Sequence, residues 1–139
     1  MSSEILNTMQ ISAMGMRAQG TRLRVITENI ANADTTGKTA GSDPYRRKTI
    51  TFKNELDKKL GVDLVEVDKI RKDYEAPFPL KFMPEHPAAD ARGYVKMPNM
   101  NTLVEMMDAR EAQRSYEANL GMIEQAKGMA MRTINLLRA

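Results

Sequence analysis

Proline occurs only in the middle of this 139-residue chain. All six prolines lie between Pro44 and Pro98, so both ends of the chain contain none. A proline inside a helix removes a backbone hydrogen bond and clashes with the preceding turn. Long uninterrupted helices are therefore restricted to the two ends of the chain.

The first end carries apolar and small residues at alternating spacings of four and three, which place them on one face of a helix. Ser3 can cap this helix, Glu4 suits its positive first turn, and the NADTTG segment from Asn32 to Gly37 stops it. At about 1.5 Å per residue, the predicted helix is about 45 Å long. The residues of this N-terminal stripe are Ile5, Met9, Ser12, Met16, Gln19, Leu23, Ile26, Ile30 and Ala33.

The last end repeats the same pattern. Thr102 and Glu105 have the spacing of a capping box, in which each side chain bonds to a backbone N–H of the other residue. A second helix is predicted from there to the end of the chain, because only Gly121 and Gly128 weaken it. The residues of this C-terminal stripe are Ala112, Tyr116, Asn119, Ile123, Ala126, Ala130, Thr133 and Leu137.

The two helical segments that carry these stripes are rich in Ala, Gly and Met, and the chain holds 12 methionines. Such stripes allow close helix approach but are too long for a small domain to cover by itself. We predict a mainly α fold in which the terminal helices form a coiled coil with antiparallel, inter-subunit packing. Pairing of the two helices within one chain is the alternative. The predicted divisions are an N-terminal helical arm over 1–36, an insert over 37–98 and a C-terminal helix over 99–139.

The insert contains three segments that alternate with β-branched residues, namely RRKTITF at 46–52, VDLVEVDKI at 62–70 and GYVKM at 93–97. They predict a small β-hairpin with a short additional strand. Residues 76–87 carry four prolines, so we expect this Pro-rich stretch to run extended without a regular ladder.

The sequence indicates no catalytic or metal-binding site. The chain has no cysteine, and its single histidine, His86, lies near Glu85 and Asp90 in a Pro-rich loop where a solvated side chain is expected rather than a metal ligand. No serine is marked as an activated nucleophile, so we predict no catalytic residue, no metal, no cofactor and no enzyme.

Charge and hydropathy argue against two further classes of partner. The net charge is only +3, with acids and bases interleaved from Glu55 to Glu75, so nucleic acid is not indicated. The first twelve residues lack the basic start and unbroken apolar stretch of a secretory leader, and nowhere do 18 apolar residues run together. We therefore expect neither a cleaved leader nor direct membrane insertion. The densest basic cluster, Arg46, Arg47 and Lys48, is expected to face acidic groups on adjacent protein subunits.

Four segments of the sequence are ENIANADTTG at 28–37, PYRRK at 44–48, HPAADARGYVKMPNMN at 86–101 and RSYEAN at 114–119. Together they resemble the flagellar basal-body rod proteins of the wider rod and hook family, and the resemblance extends over nearly the whole chain. The GYVKMPNMN block is similar to proximal-rod members in particular. The wider family's Thr-Pro-Gly-Tyr is replaced here by Thr35-Thr36-Gly37 with an insert before Tyr45, as in those members.

The resemblance implies a structural component of the bacterial flagellum, in the periplasmic basal-body rod, that transmits motor torque for motility. It implies synthesis in the cytoplasm and delivery by the flagellar type III export apparatus without a cleaved signal peptide. The implied partners are other rod proteins, proximal and distal, and the adaptor that joins the rod to the membrane ring. The terminal helices would form an inner coiled-coil layer of a helical oligomer.

The predicted assembly interface joins the two stripes to the basic cluster. Asn119 is expected to fix the register of the helices, and the helices to be partly disordered in a dilute monomer. The rival functions are a small soluble helical-hairpin regulator or chaperone-like binding protein, and an enzyme accessory that binds cell-wall glycan. The interface residues are Ile5, Met9, Met16, Leu23, Ile26, Ile30, Asn32, Arg46, Arg47, Lys48, Tyr116, Asn119, Ile123, Ala126, Ala130 and Leu137.

Overall fold

A computed structural model describes residues 1–139 and contains two helices and four strands. The elements in chain order are α1 (Ser2–Ala31), β1 (Lys48–Asp57), β2 (Val62–Lys72), β3 (Leu80–Phe82), β4 (Tyr94–Lys96) and α2 (Thr102–Arg138). The strands form two separate two-stranded sheets, β1 with β2 and β3 with β4. The prediction of long terminal helices with a small sheet between them is thus confirmed.

Helix α1 begins one residue earlier than its predicted cap. Ser3 lies inside the first turn, where the Ile5 N–H already bonds to the Met1 carbonyl at 3.1 Å, so Ser3 is not the cap. The predicted stop holds, because the Asn32 side chain donates to the Glu28 carbonyl at 2.8 Å and the Thr35 hydroxyl lies 3.1 Å from Asn32 Oδ1. These bonds satisfy polar groups that a helix end leaves unpaired.

Helix α2 is capped by Asn101 and not by the predicted capping box. The Asn101 side-chain oxygen accepts from the Leu103 N–H at 3.0 Å, and its carbonyl accepts from the Glu105 N–H at 3.0 Å. The Glu105 carboxylate instead bonds to Arg47 and Asn29 in the interior. A charge-assisted bond to an arginine is stronger than a bond to a helix-end amide, so the tertiary partner is preferred.

Strands β1 and β2 are joined by residues 58–61 into the predicted hairpin. Asp57 Oδ1 accepts from the N–H groups of Lys59 and Leu60 at 2.8 and 3.2 Å, which forms the turn, and Gly61 supplies a positive φ of 67°. Strand β1 starts at Lys48 and extends five residues past the predicted segment.

Strands β3 and β4 correct the expectation for the Pro-rich stretch. Leu80–Phe82 pairs antiparallel with Tyr94–Lys96, with Leu80 opposite Lys96, so this stretch does hold a short ladder. Its prolines fall outside the three paired residues, and the Pro79 carbonyl still accepts from the Met97 N–H at 2.7 Å. Phe82 packs edge-on against Tyr94, with 5.3 Å between the ring centroids.

The chain folds into two compact units that divide each helix and the hairpin. Unit 1 contains Met1–Leu23, Thr51–Lys69 and Arg110–Ala139, and unit 2 contains Arg24–Ile50 and Ile70–Ala109. Both helices therefore contribute residues to each unit. Neither helix has the apolar length required to span a membrane.

In unit 1 the two helices contact each other in antiparallel order. Gly15 lies opposite Asn119, Gly20 lies opposite Tyr116, and Arg22 forms an ion pair with Glu111 at 3.7 Å. The buried residues of this unit are mostly small: Ser12, Ala18, Leu64, Ala112 and Ala126.

The core of unit 2 mixes apolar and polar side chains. Its buried residues include Val25, Ile26, Ala88 and Val95 together with Asn29, Asn99 and Glu105.

Candidate assembly site

Asn29 is the most fully bonded side chain of unit 2. It is 1% exposed, and its Oδ1 accepts from the Lys48 N–H and the Tyr45 hydroxyl, both at 2.9 Å. Its Nδ2 donates to the Lys48 carbonyl at 2.8 Å and to Glu105 Oε2 at 3.2 Å. One amide thus bonds to both backbone groups of the first β1 residue, as a neighbouring strand would, and also to α2.

Glu105 brings α2 into the same network. Its side chain is 1% exposed, and its Oε1 accepts from the Arg47 guanidinium while its Oε2 accepts from Asn29. A buried carboxylate needs both a counter-charge and hydrogen-bond donors, and Arg47 and Asn29 supply them.

Asn99 completes the network from the segment before α2. Its Oδ1 accepts from the Arg47 N–H at 2.9 Å, and its Nδ2 donates to the carbonyls of Asp73 and Ala76 at 3.0 and 3.1 Å. Both ends of the hairpin are therefore fixed to the loop that precedes α2. We refer to the side chains of Asn29, Tyr45, Arg47, Asn99 and Glu105, together with the backbone of Lys48, as the polar clasp.

The basic cluster pairs with carboxylates of its own chain, and its predicted contacts with acidic groups on adjacent subunits stay a prediction. Arg47 pairs with Glu105 and Lys48 with Glu28. This occurs because Glu28 and Glu105 project from the helices where the chain enters β1.

Arg46, the third member of that cluster, contacts two aromatic rings and one carboxylate. Its guanidinium lies 4.5 Å from the Tyr74 ring centroid and 4.3 Å from that of Phe78, and it forms an ion pair with Asp43 at 3.7 Å. Such cation–π contacts stabilise a partly desolvated arginine.

The packing of unit 2 shifts the pKa of two side chains, Tyr45 and Asp73. Burial raises the pKa of the Tyr45 phenol above its ordinary value of 10.0, and the nearby charges of Glu28 and Glu105 raise it further. Backbone N–H groups of Ala76 and Glu75 lower the pKa of Asp73 below 3.8, with Arg47 and Arg46 adding to the effect. Both shifts favour the protonation state present at neutral pH.

The predicted stripe residues are distributed between the interior and the surface. Ile26 and Ala126 are buried within the chain, whereas Leu137 is 83% exposed. Asn32 ends α1. The remaining stripe residues of the predicted interface are half-buried: Ile5, Met9, Met16, Leu23, Ile30, Tyr116, Asn119, Ile123 and Ala130. Contacts within one chain thus use part of each stripe, as the intramolecular alternative anticipated.

The structure gives Asn119 a contact inside unit 1. Its Nδ2 donates to the Ser115 carbonyl of its own helix at 2.9 Å, and its side chain covers Gly15. A Cβ at position 15 would lie 2.8 Å from Asn119 Nδ2, so only glycine fits this approach without a shift.

Apolar side chains remain exposed at the end of α2. Ile134, Leu136 and Leu137 are open to solvent, and Leu136 is 78% exposed. Unit 1 also has a cavity of about 370 Å³, lined by residues that include Ile5, Thr8 and Met129. Clustered exposure of this kind is typical of a surface that contacts another protein.

His86 is not the solvated loop side chain that the sequence suggested. Its Nδ1 accepts from the Ala88 N–H at 3.0 Å, and its Nε2 lies 3.3 Å from the Thr36 hydroxyl. The ring is half-buried, and it links the loop before β4 to the segment after α1. No group of three or more potential metal ligands is present.

The sequence does not indicate Asn29 or Asn99 as site residues, and it indicates Glu105 only as part of a capping box. Asn29 lies next to Ile30 but outside the predicted stripe, and Asn99 lies in the loop between Pro98 and α2. The available signal for the two asparagines was their position inside the ENIAN and PNMN segments, which gives no information on their bonding partners.

Two family descriptions match this sequence. Residues 9–37 match the family described as Flagella basal body rod protein, and residues 91–136 match the Flagellar basal body rod FlgEFG protein C-terminal family. These ranges include most of both helices, Asn29 and Glu105.

Similar proteins in several bacteria carry one name. The chain is 52% identical to flagellar basal-body rod protein FlgC of Agrobacterium fabrum, over 94% of this chain and 93% of that protein. It is 36% identical to the FlgC protein of Salmonella typhimurium, over 95% and 97%, and 33% identical to that of Bacillus subtilis, over 94% and 96%. The similarity extends over nearly the full length of each relative.

Proposed function

Because the chain belongs to the FlgC family of flagellar basal-body rod proteins, we propose that it is a subunit of the proximal rod whose terminal helices pack against neighbouring subunits. It is a structural component of the bacterial flagellar basal body and serves motility. In the proposed arrangement, coiled-coil contacts between subunits build a helical assembly that transmits motor torque. Contacts that do not close on themselves generate such a filament.

The observation that carries this proposal is the exposed apolar end of α2. Leu136 and Leu137 are 78% and 83% exposed, in a unit whose buried residues are mostly small. The two leucines have little contact within their own chain, so packing against a neighbour would bury their apolar surface and stabilise the assembly. The stripe residues that are only half-buried, such as Met9 and Ile123, would extend the same contact.

The proposed partners are those that a rod subunit requires. They are the other proximal and distal rod proteins and the adaptor between the rod and the membrane ring. The flagellar type III export apparatus would deliver the chain from the cytoplasm to the periplasm without a cleaved signal peptide.

A substitution pair tests the role of the α2 end. We expect Leu136→Ser combined with Leu137→Ser to abolish swimming and rod assembly in a strain that lacks the native protein. The matched control is Leu56→Ser on the hairpin, where the leucine is 57% exposed but lies outside both helices. We expect the control strain to swim.

Export and assembly must be measured separately, by immunoblot of secreted protein and by electron microscopy of isolated basal bodies. Normal rods and swimming in the double variant would contradict the proposal. Loss of rods with normal export would support it.

A further inference from the structure

The two helices cannot satisfy their own polar groups where they meet in unit 2. The direct bond between Asn29 Nδ2 and Glu105 Oε2 uses one donor of the amide and one oxygen of the carboxylate. The other bonds of Asn29 go to Tyr45 and Lys48, and the counter-charge of Glu105 comes from Arg47. All of those partners lie in one short segment, residues 45–48.

Closing the helices without that segment would bury unpaired polar groups. Glu105 would lose its cation, and Asn29 would lose both bonds to its oxygen. An uncompensated buried charge is strongly unfavourable, whereas an apolar pair at the same positions is often as stable as the ion pair. Stability alone therefore does not account for a buried carboxylate between the helices.

We propose that the polar clasp makes pairing of α1 with α2 conditional on docking of residues 45–48. The helices close at this end only when the segment that enters the hairpin is in place. Arg47 lies in the insert and not in a helix. A helix from another copy therefore supplies no cation to Glu105 unless the insert of that copy is docked as well. The clasp thereby suppresses premature pairing between incompletely folded chains.

Three variants of the full chain test whether pairing of the helices requires docking of residues 45–48. We expect Arg47→Met alone to lower hydrogen-exchange protection in residues 24–31 and 102–109 by at least about tenfold, because Glu105 is left buried without its cation. We expect Arg47→Met combined with Glu105→Leu to recover that protection. The double variant should also form dimers or larger species by light scattering, at concentrations where the unaltered chain is monomeric.

Lys48→Met is the matched control. It removes the partly exposed ion pair with Glu28 while the Lys48 backbone bonds to Asn29 remain possible. We expect protection in the same residues to change by less than about threefold, because exposed ion pairs contribute little. A loss as large as that of Arg47→Met would overturn the proposal.

Pulsed hydrogen exchange during refolding of the unaltered chain gives an independent measurement. The Arg47 and Lys48 N–H groups donate directly to Asn99 and Asn29, so they report docking of the segment. We expect them to become protected no later than residues 24–31 and 102–109. Protection of the helices before these two N–H groups would show that helix pairing does not depend on docking of residues 45–48. The same conclusion would follow if the variant with both Arg47→Met and Glu105→Leu stays protected and strictly monomeric.

Discussion

The two compact units are stabilised by different kinds of contact. Unit 2 buries Asn29, Asn99 and Glu105 in a network with several bonds per side chain, whereas unit 1 buries mainly Ser12, Ala18, Ala112 and Ala126. A buried polar network is satisfied in one geometry only, because any displacement leaves donors or acceptors unpaired. Small side chains allow close helix approach but specify position weakly and bury little apolar area.

This difference assigns different tasks to the two parts of each helix. The clasp in unit 2 fixes which residues of the insert meet the helices, and unit 1 leaves Ile134, Leu136 and Leu137 exposed for other contacts. Regions with few buried apolar contacts open more easily than well-packed ones. The expectation that the terminal helices are partly disordered in a dilute monomer thus stays a prediction, most directly for unit 1.

Replacing Asn29 of unit 2 and Asn119 of unit 1 by leucine should produce the largest difference in stability between variants of the two units. We expect Asn29→Leu to lower the free energy of unfolding by about 3 to 5 kcal/mol, because it removes the buried hydrogen bonds of Asn29 to the Lys48 backbone, the Tyr45 hydroxyl and Glu105 Oε2. We expect Asn119→Leu to cost no more than about 1 kcal/mol, since its amide bonds only to its own helix. Urea unfolding followed by circular dichroism measures both.

Equal losses in the two variants would show that the units do not differ as described. For Asn119→Leu we also expect normal export but irregular rods, because the register role predicted for Asn119 concerns assembly rather than folding. Straight rods at normal yield would make that role wrong.

A glycine pair should produce a smaller effect within unit 1. We expect Gly15→Ala to destabilise the chain by about 1 kcal/mol, because the new Cβ would approach Asn119 Nδ2 to 2.8 Å and overpacking exceeds the gain in helix propensity. Gly128→Ala is the matched control, since nothing lies within 4 Å of a Cβ built there. It should stabilise the chain by up to about 1 kcal/mol.

Asn119→Ala should restore the stability of Gly15→Ala if the clash is the cause. Thermal unfolding of the two single variants and the double variant measures this coupling. If the losses of the two single variants simply add in the double variant, the destabilisation by Gly15→Ala does not come from a clash with Asn119.

The smallest expected effect is a pH dependence confined to unit 2. The pKa of Tyr45 is raised in the folded chain, so its neutral form contributes stability that is complete below 10.0 and is lost as pH rises through the raised pKa. Tyr45→Phe removes this titration and the bond to Asn29. We expect the variant to be less stable than the unaltered chain at pH 8 and the difference to shrink above pH 10.

Tyr74→Phe serves as the control, because it removes a phenol that is 73% exposed while keeping the ring over Arg46. Melting temperatures across this pH range measure the effect. A constant difference between Tyr45→Phe and the unaltered chain at every pH would contradict it.

The sequence determined the secondary structure because its signals are local. Proline confined to 44–98 and stripes at spacings of four and three specify where helices can form, and the NADTTG segment specifies where the first one ends. β-Branched alternation likewise predicted the hairpin, and short motifs identified the family.

Only the tertiary structure decided which polar groups meet. Thr102 and Glu105 have the spacing of a capping box, but Glu105 turns to Arg47, which is 58 residues away along the chain, and Asn101 caps the helix instead. The sequence shows the positive charge of the cluster formed by Arg46, Arg47 and Lys48. It does not show which groups this cluster contacts. Hydrogen bonds and ion pairs depend on atoms that the fold brings together across long sequence separations, and local spacing does not encode those distances.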